Sequence, residues 1–496
     1  MTSFLSNLFK LTSGTVIAQV AAVLLIPVAT RIYAPEFFGV NQLFLSIATV
    51  ITVVSSLSYH FAIMVTEEDE DSVNVLALCV VCVLGISTLA GIVFVAFGDW
   101  FGTLFNMPVV ADYLILLPFF VIFSSLFVVL NDWLSRKVRY GPIARGTVIN
   151  SVSTRVFQIG AGLVHASPLG LILGSVVGAG LALIPHLRSL REDAHLLRSV
   201  TPGRMKDLAR RYSRFAIYAS FGSLANSASW ELPAFILAYF FNPVIVGFYA
   251  LAIMAVRLPM MLVGTSITQV FFQKASEERI QTGSVRDVVR EVHTRLIAVG
   301  LFPFVLFAIL AEDLFTFVFG ADWLTAGTYA MILTPWLFTT FAVSPITSLF
   351  GVLDRQRAFF FFEVTTLCMW LLLFSVSGVL GNPVTVLMLF SAAGVILWGA
   401  KSVYLIRESG IGYRDSFSSL ARHLLISVVL ALPLIVGRYM EVPFLLLLVV
   451  AGIAAVAYYL LIFFTDTLIQ REVIRMIRGS VSPKYLNWLE HLALLR

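Results

Sequence analysis

Two arginines, Arg155 and Arg257, lie inside apolar segments that are long enough to cross a membrane. Arginine stays charged under ordinary conditions, and its planar guanidinium can donate two hydrogen bonds to one phosphate or carboxylate. Placing that charge in hydrocarbon costs about 2.5–3.5 kcal/mol on insertion scales. Each arginine therefore needs an acidic partner, a water-filled cavity or an anionic ligand, and the two together predict a cationic binding site.

Glu231 is the intramembrane acid nearest to Arg257 along the chain. A purely structural ion pair between the two is the alternative to a ligand site, because a carboxylate would neutralise the buried charge. Glu231 is also a candidate for binding H⁺ or Na⁺ within the membrane. Arg31, at the outer end of the first apolar segment, is a third candidate for binding an anionic group.

Polar residues recur at helical spacing within four of the apolar segments. Residues spaced by three and four share one face of a helix. Interhelical hydrogen bonding, worth only about 0.6 kcal/mol per contact in membranes, would explain such a face without any ligand. We favour a cavity, because the polar faces occur on segments that are equivalent within an internal repeat. The predicted cavity-lining residues are Gln19, Gln42, Ser46, Thr49, Ser223, Ser227 and Thr265.

The composition is that of a membrane protein. Hydrophobic residues make up 59% of the 496 residues and charged residues only 12%, whereas soluble proteins contain about 25% charged residues. Apolar runs of about 20 residues recur along the chain, and each can span the hydrocarbon core as a helix. We predict an all-α polytopic membrane protein with about fourteen transmembrane helices, near residues 11–31, 37–63, 75–98, 111–134, 143–165, 167–187, 215–240, 243–272, 295–318, 326–349, 358–380, 384–406, 422–437 and 443–464.

Basic residues are distributed unevenly between the two sets of loops. Of the 33 lysine and arginine residues, only Arg31 and Arg438 fall in the loops of one set. The side richer in basic residues is normally cytoplasmic, so we expect both termini and the acidic loop 66–72 to lie in the cytoplasm. The net charge of +5 then suits contact with anionic lipid headgroups, and it is not evidence for nucleic acid binding.

The two halves of the chain carry the same motifs in the same order. The matching pairs include Pro35-x-x-x-Gly39 with Pro243-x-x-x-Gly247, and FGDW at 97–100 with FGADW at 319–323. Such pairs indicate a duplicated six-helix unit, with two lobes related by a pseudo-twofold axis along the membrane normal. The predicted divisions are an N-lobe (1–187), a basic cytoplasmic linker (188–214), a C-lobe (215–406), helices 13 and 14 (407–465) and an amphipathic cytoplasmic tail (466–496).

No arrangement typical of an enzyme is evident in the sequence. Metal-ligand spacing, a glycine-rich phosphate loop and a nucleophile–base pair are all missing, so we expect no catalytic residue, cofactor or metal. An integral-membrane glycosyltransferase or polymerase would usually display a large periplasmic loop, whereas every loop on that side is short here. A non-transporting scaffold would have no reason to carry polar faces on equivalent helices.

Several stretches resemble the Wzx-type oligosaccharide flippases, the polysaccharide-transport branch of the superfamily that also contains the multidrug (MATE) exporters and the lipid II flippase. The stretches are 208–273, 314–327 (LFTFVFGADWLTAG), 344–357 (SPITSLFGVLDRQR), 26–39 (IPVATRIYAPEFFG) and 131–140 (NDWLSRKVRY). The resemblance implies two six-helix lobes, with helices 1, 2, 7 and 8 around a central cationic cavity. Arg155 lies on helix 5, outside that inner set.

The resemblance also implies a cargo and a location. It implies transport of a polyprenyl-pyrophosphate-linked oligosaccharide from the cytoplasmic to the periplasmic leaflet of the bacterial inner membrane by alternating access, for surface polysaccharide biosynthesis. Members often carry arginine where this chain has Met254, and here Arg257 lies one turn on. We expect a monomer that contacts membrane lipids and other polysaccharide-assembly proteins. The alternative is a MATE-like multidrug or cation antiporter, whose cavity should favour carboxylates and aromatic residues over arginine.

Overall fold

The computed structural model describes residues 24–465, and within them every side chain except those of residues 259, 261–267, 269, 270, 413 and 415. Gln19, the side chain of Thr265 and the predicted tail 466–496 therefore lie outside the described part of the protein. Within that part, helices are the regular structure and no strand occurs.

The helices follow one another through short connections. Those before residue 215 are α1 (described over residues 24–32), α2 (Pro35–Ser55), α3 (His60–Val65), α4 (Asp69–Ala96), α5 (Gly98–Leu104), α6 (Leu117–Arg136), α7 (Tyr140–Val164), α8 (Pro168–Leu190) and α9 (Pro202–Arg211). The later helices are α10 (Ser220–Phe240), α11 (Pro243–Thr282), α12 (Arg286–Phe319), α13 (Leu324–Val343), α14 (Leu349–Val352), α15 (Gln356–Leu380), α16 (Pro383–Glu408), α17 (Tyr413–Tyr439) and α18 (Phe444–Thr465).

The predicted transmembrane segments coincide with these helices. Every predicted segment from the second to the fourteenth contains one long helix, and 10 segments of the described residues are long and apolar enough to cross a membrane. The predicted fold class is thereby confirmed. Three of these long helices fall outside the group of 10. α11 contributes only the shorter apolar stretch Pro243–Leu258, and α7 and α10 fall short because polar and charged residues lower their mean hydropathy. These two helices carry Arg155 and Glu231.

Several helices are longer than predicted. α11 continues to Thr282, whereas the apolar run predicts an end at residue 272, and α12 begins at Arg286, whereas the apolar run predicts a start near residue 295. Hydropathy marks only the part of a helix that lies in hydrocarbon. A helix end in water or among headgroups can continue through polar residues, because its side chains are solvated there.

The second predicted segment, 37–63, is not one continuous helix. α2 ends at Ser55 and α3 begins at His60, because Leu57 and Ser58 between them adopt left-handed conformations with φ of 47° and 52°. Such φ values are uncommon for residues that have a side chain. Hydrophobic periodicity does not detect this break, since the apolar run resumes at Phe61 only a few residues beyond it.

The repeat motif appears in the structure as a reciprocal contact between α2 and α11. Pro35 and Pro243 each begin a helix, and the glycine one turn later faces the start of the other helix. A Cβ atom on Gly39 would collide with the Pro243 carbonyl, and one on Gly247 would collide with the Pro35 carbonyl. Backbones approach this closely only where side chains are absent. A twofold relation between the two helix starts would produce such a symmetric contact.

Small residues also bring α8 close to α7. A Cβ atom on Gly174 would collide with the Gln158 side chain, and one on Gly178 would collide with the Thr154 hydroxyl. Gln158 is buried and donates a hydrogen bond from Nε2 to the Leu171 carbonyl of α8 at 2.8 Å. α7 is therefore held firmly by α8 at the level of Arg155, which lies on the same turn as Gln158.

The chain divides into two compact units. One comprises Met1–Leu258, Glu312–Leu333 and Phe360–Phe390, and the other comprises Pro259–Ala311, Thr334–Phe359 and Ser391–Arg496. In the second unit α18 packs on α12, where the Tyr458 ring stacks on Phe302 with ring centroids 4.5 Å apart. The candidate site residues that the structure describes all lie in the first unit. The lobe boundaries drawn from the repeat remain predictions.

Candidate functional site

Arg257 lies on α11 and contacts an aromatic ring of α10. Its guanidinium carbon is 4.2 Å from the centroid of the Trp230 ring. A cation over the face of an aromatic ring gains about 0.5–2 kcal/mol from the ring quadrupole. This contact offsets part of the cost of holding the charge away from water, but an indole carries no negative charge to cancel it.

Arg155 reaches from α7 to the same helix. Its Nη1 donates to the Gln158 Oε1 at 2.9 Å, and its Nη2 lies 3.7 Å from the Met254 sulfur. Met254 and Arg257 are three residues apart, so they share one face of α11. The structure therefore brings Arg155 against the Met254–Arg257 face, although its helix lies outside the four helices predicted to line the cavity.

Glu231 is bound by a different helix from the one that carries Arg257. Ser46 Oγ of α2 donates to Glu231 Oε2 at 2.7 Å, and Gln42 Nε2 donates to Ser46 Oγ at 3.1 Å. Among the described residues, no ion pair joins Glu231 to Arg257. The structural ion pair considered as the alternative to a ligand site is therefore not formed in this structure.

Arg31 lies near a helix end. It is exposed, and its Nη2 donates to the Phe317 carbonyl in the last turn of α12 at 3.5 Å. A cation is favourable there, because the last carbonyls of a helix carry partial negative charge. Close by along the chain, Trp323 Nε1 donates to the Thr30 carbonyl at 3.0 Å, which satisfies a carbonyl in the last turn of α1. These contacts give Arg31 and Trp323 a structural role at helix ends.

The other predicted polar residues whose side chains the structure describes lie on α2 and α10, which pack against each other. Thr49, Ser223 and Ser227 are half-buried on α2 and α10. Two hydrogen bonds join the end of α2 and the break that follows it to α6 and α10. The sequence pattern does not predict these bonds. They link Ser55 Oγ to Ser125 Oγ at 2.7 Å and Ser220 Oγ to Ser58 Oγ at 3.0 Å.

A second group of arginines lies at the helix ends and in the linker. We call Arg136, Arg139, Arg204, Asp69, Asp71 and Asp193 the loop network. Arg204 Nε and Nη2 bind the two oxygens of Asp71 at 2.6 and 2.9 Å. Arg139 Nη1 and Nη2 bind those of Asp193, both at 2.9 Å. The hydrogen bonds to Asp71 raise the pKa of Arg204. The network places the acidic loop 66–72 beside the basic linker, on one face of the protein.

The architecture is similar to that of solved membrane transporters. The inward closed conformation of the lipid II flippase MurJ has a TM-score of 0.66 and 13% sequence identity, with 91% of this chain and 98% of that chain covered. The inward-facing conformation of a MATE family multidrug resistance transporter of the MOP superfamily has a TM-score of 0.59 and 14% identity, with 79% and 95% covered. The fold is therefore that of the MOP (multidrug/oligosaccharidyl-lipid/polysaccharide) transporters, and the protein is a multi-pass membrane protein.

The sequence itself identifies the family within that fold. Residues 28–327 match the family model described as "Polysaccharide biosynthesis protein". Because the match covers more than half of the chain, the protein belongs to this family. The family and the fold confirm the predicted membership of the MOP superfamily. No curated protein matches the sequence significantly.

Proposed function

We propose that this protein is a flippase that moves a polyprenyl-pyrophosphate-linked oligosaccharide from the cytoplasmic to the periplasmic leaflet of the bacterial inner membrane. Its membership of the polysaccharide biosynthesis family supports an oligosaccharide cargo. The fold that it shares with the MurJ flippase and with a MATE transporter supports transport by alternating access. The cargo would supply surface polysaccharide biosynthesis.

The observation that carries the proposal is a pair of arginines, Arg257 on α11 and Arg155 on α7, which both lie at one face of α11. Arg257 lies on the same face of α11 as Met254, and Met254 is contacted by Arg155 of α7. Neither arginine forms an ion pair with a described carboxylate. A pyrophosphate offers two negative groups whose oxygens accept the bidentate hydrogen bonds of a guanidinium. It would provide the anion that these two half-buried cations lack. We include Arg31 as a third cation for the cargo, because it is exposed and forms no ion pair with a described carboxylate.

The membrane potential favours this direction of movement. Expelling negative charge from a negative interior gains about 2.3 kcal/mol per charge per 100 mV. A cargo with two charges would gain roughly twice that amount, which is enough to bias transport without a coupled ion. The oligosaccharide would cross in the polar interior while the prenyl chain remained in lipid.

Glu231 is the residue through which H⁺ or Na⁺ coupling would act. Its carboxylate accepts the Ser46 hydroxyl, which in turn accepts from Gln42, so a change of protonation or ion binding would alter the contact of α10 with α2. Transport in proteoliposomes would be followed as a function of pH and Na⁺ for wild type and Glu231→Gln. An unchanged rate and unchanged dependence in the variant would exclude Glu231 as the coupling residue.

The function is tested by deleting the gene in the native host and analysing lipid-linked oligosaccharides. We expect a polyprenyl-pyrophosphate glycan to accumulate on the cytoplasmic side of the membrane. Wild type and the loop variant Arg204→Gln should relieve the accumulation, whereas Arg257→Ala should not. Equal rescue by Arg257→Ala would remove Arg257 from the substrate site.

A MATE-like antiporter is the second candidate, since a MATE family transporter has a similar fold. It would expel cationic drugs, and a cationic site at α11 would repel them. Absence of glycan accumulation in the deletion strain, together with changed drug sensitivity, would favour the antiporter. Unchanged drug sensitivity on overexpression would count against it.

A further inference from the structure

A cavity of about 560 Å³ lies between the beginning of α7 and the end of α8. Arg145 and Arg188 line it, together with an apolar wall formed by Val148, Ile149 and Ile184. Arg145 precedes Arg155 by ten residues on α7, which is about 15 Å along a helix axis. The cavity is therefore separate from the proposed transport site.

The cavity has an excess of positive charge. Arg145 and Arg188 are both exposed, and Arg145 Nε donates only to the Gly141 carbonyl of its own helix at 3.3 Å. Glu192 also lines the cavity, but its carboxylate already faces Arg139 at 3.5 Å. Among the described residues, no ion pair neutralises Arg145 or Arg188. Two guanidinium groups are thus available to an anion.

The position of the cavity limits the kind of anion. α8 is long and apolar enough to span the membrane, and Arg188 lies in its last turn, just beyond the predicted apolar run 167–187. A basic residue at such a helix end is expected among the lipid headgroups. Val148 and Ile149 continue the cavity along α7 toward the membrane interior. A soluble anion would use the arginines but would leave the apolar wall uncovered. A ligand with a charged head and an apolar chain would cover both.

We propose that this cavity binds an anionic phospholipid, with its phosphate on Arg145 and Arg188 and the beginning of an acyl chain against Val148, Ile149 and Ile184. Basic pockets between transmembrane helices are suited to such headgroups. Pro142 in the first turn of α7 also lines the cavity, and the partial positive charge of a helix start favours an anion there. The lipid would join α7 to α8 at the end of the helix that carries Arg155.

The test is native mass spectrometry of the full-length protein titrated with phosphatidylglycerol or phosphatidylethanolamine. The cavity variant is Arg145→Gln/Arg188→Gln. The control is Arg198→Gln/Arg210→Gln, which removes the same charge from two exposed arginines of the linker. We expect the cavity variant to retain phosphatidylglycerol about tenfold more weakly than wild type, from the loss of charge-assisted hydrogen bonds. The control should match wild type.

A second variant tests the apolar wall while leaving both arginines in place. The Val148→Trp side chain should occupy the space proposed for the acyl chain and so weaken phosphatidylglycerol retention. Elution like wild type on size exclusion would show that the variant is folded. Inorganic phosphate at millimolar concentration should not displace the lipid. Equal retention by the cavity variant and wild type would overturn the proposal. Displacement by inorganic phosphate would also overturn it, since the cavity would then be a simple anion site.

Discussion

The arginines of this protein are stabilised differently at two levels of the molecule. In the loop network, Arg139 and Arg204 each bind a carboxylate through two hydrogen bonds. In the membrane-spanning helices, Arg155 contacts an amide oxygen and a thioether, and Arg257 contacts an indole ring. The arginines of the loop network thus bind carboxylates, whereas those of the membrane-spanning helices contact only uncharged groups among the described residues.

This difference separates a structural role from a functional one. A carboxylate cancels the charge of an arginine, whereas an amide, a thioether or an indole does not. Charges are most costly in the membrane-spanning region, so we propose that a ligand supplies the anion for an arginine left without a counter-charge there. Removing a loop arginine or its partner should therefore affect stability, and removing an intramembrane arginine should affect transport.

The largest expected effect is the loss of the Asp193 carboxylate. Asp193 is 3% exposed and binds Arg139 as well as the Trp133 indole N–H, at 3.0 Å. Breaking a buried ion pair costs about 3–5 kcal/mol, and the lower end applies here because Arg139 is partly exposed. Asp193→Asn should lower the thermal unfolding temperature of the purified protein markedly. Glu192→Gln, the neighbouring exposed acid, is the control and should change it little. Equal stability of the two variants would contradict the structural role of the network.

Arg257→Ala should reduce transport by about 10- to 100-fold, the range expected for losing a hydrogen bond between charged groups. Its thermal unfolding temperature should be unchanged or higher, because an uncompensated charge has been removed. Arg257→Lys keeps the charge but loses the bidentate geometry, so its transport rate should be intermediate. Transport of a polyprenyl-pyrophosphate glycan in proteoliposomes measures these rates. If Arg257→Ala unfolded at a lower temperature but transported normally, Arg257 would have the structural role and not the functional one.

Arg155→Gln should have a smaller effect on transport, about tenfold, since glutamine can still donate one hydrogen bond. Met254→Leu removes the sulfur that Arg155 contacts and preserves the apolar volume, so it serves as the control. If the Arg155 charge itself acts on the substrate, only the arginine variant should slow transport. Equal slowing by both variants would indicate that Arg155 acts by packing against α11.

Arg204→Gln should have the smallest effect. Although Asp71 binds it through two hydrogen bonds, the Arg204 side chain is 49% exposed, and exposed ion pairs are screened by salt and contribute little. The unfolding temperature should fall slightly at low ionic strength and match wild type at high ionic strength, with transport unchanged at both. Loss of transport in this variant would show that the loop network takes part in function.

Much of the fold could be predicted from the sequence, because its cause is local. Each apolar run must satisfy its own backbone hydrogen bonds in hydrocarbon, and a helix does so without help from other segments. The break after Ser55 could not be predicted. It depends on the packing that holds Leu57 and Ser58 in left-handed conformations, including a hydroxyl from Ser220, which is distant in the chain.

The candidate site was predictable in part for the same reason. A charged residue in an apolar run is evident from the sequence, so Arg155 and Arg257 are identified without a structure. Trp230 is missed as a partner of Arg257, because an aromatic residue in an apolar helix is usually a packing residue. Its position beside Glu231 is the one signal that could have indicated it.

From its sequence alone, this protein can be recognised as one that crosses the membrane many times and has two arginines in its hydrophobic segments, and its repeated motifs predict two related halves. These properties depend on composition and on spacing along the chain. The contacts of those arginines follow from the packing of the helices: Arg155 of α7 contacts Met254, and Trp230 of α10 contacts Arg257. Glu231 is bound instead by Ser46 of α2. The contacts join residues from separate helices, and their partners depend on how the helices pack, which the spacing within any one helix does not contain.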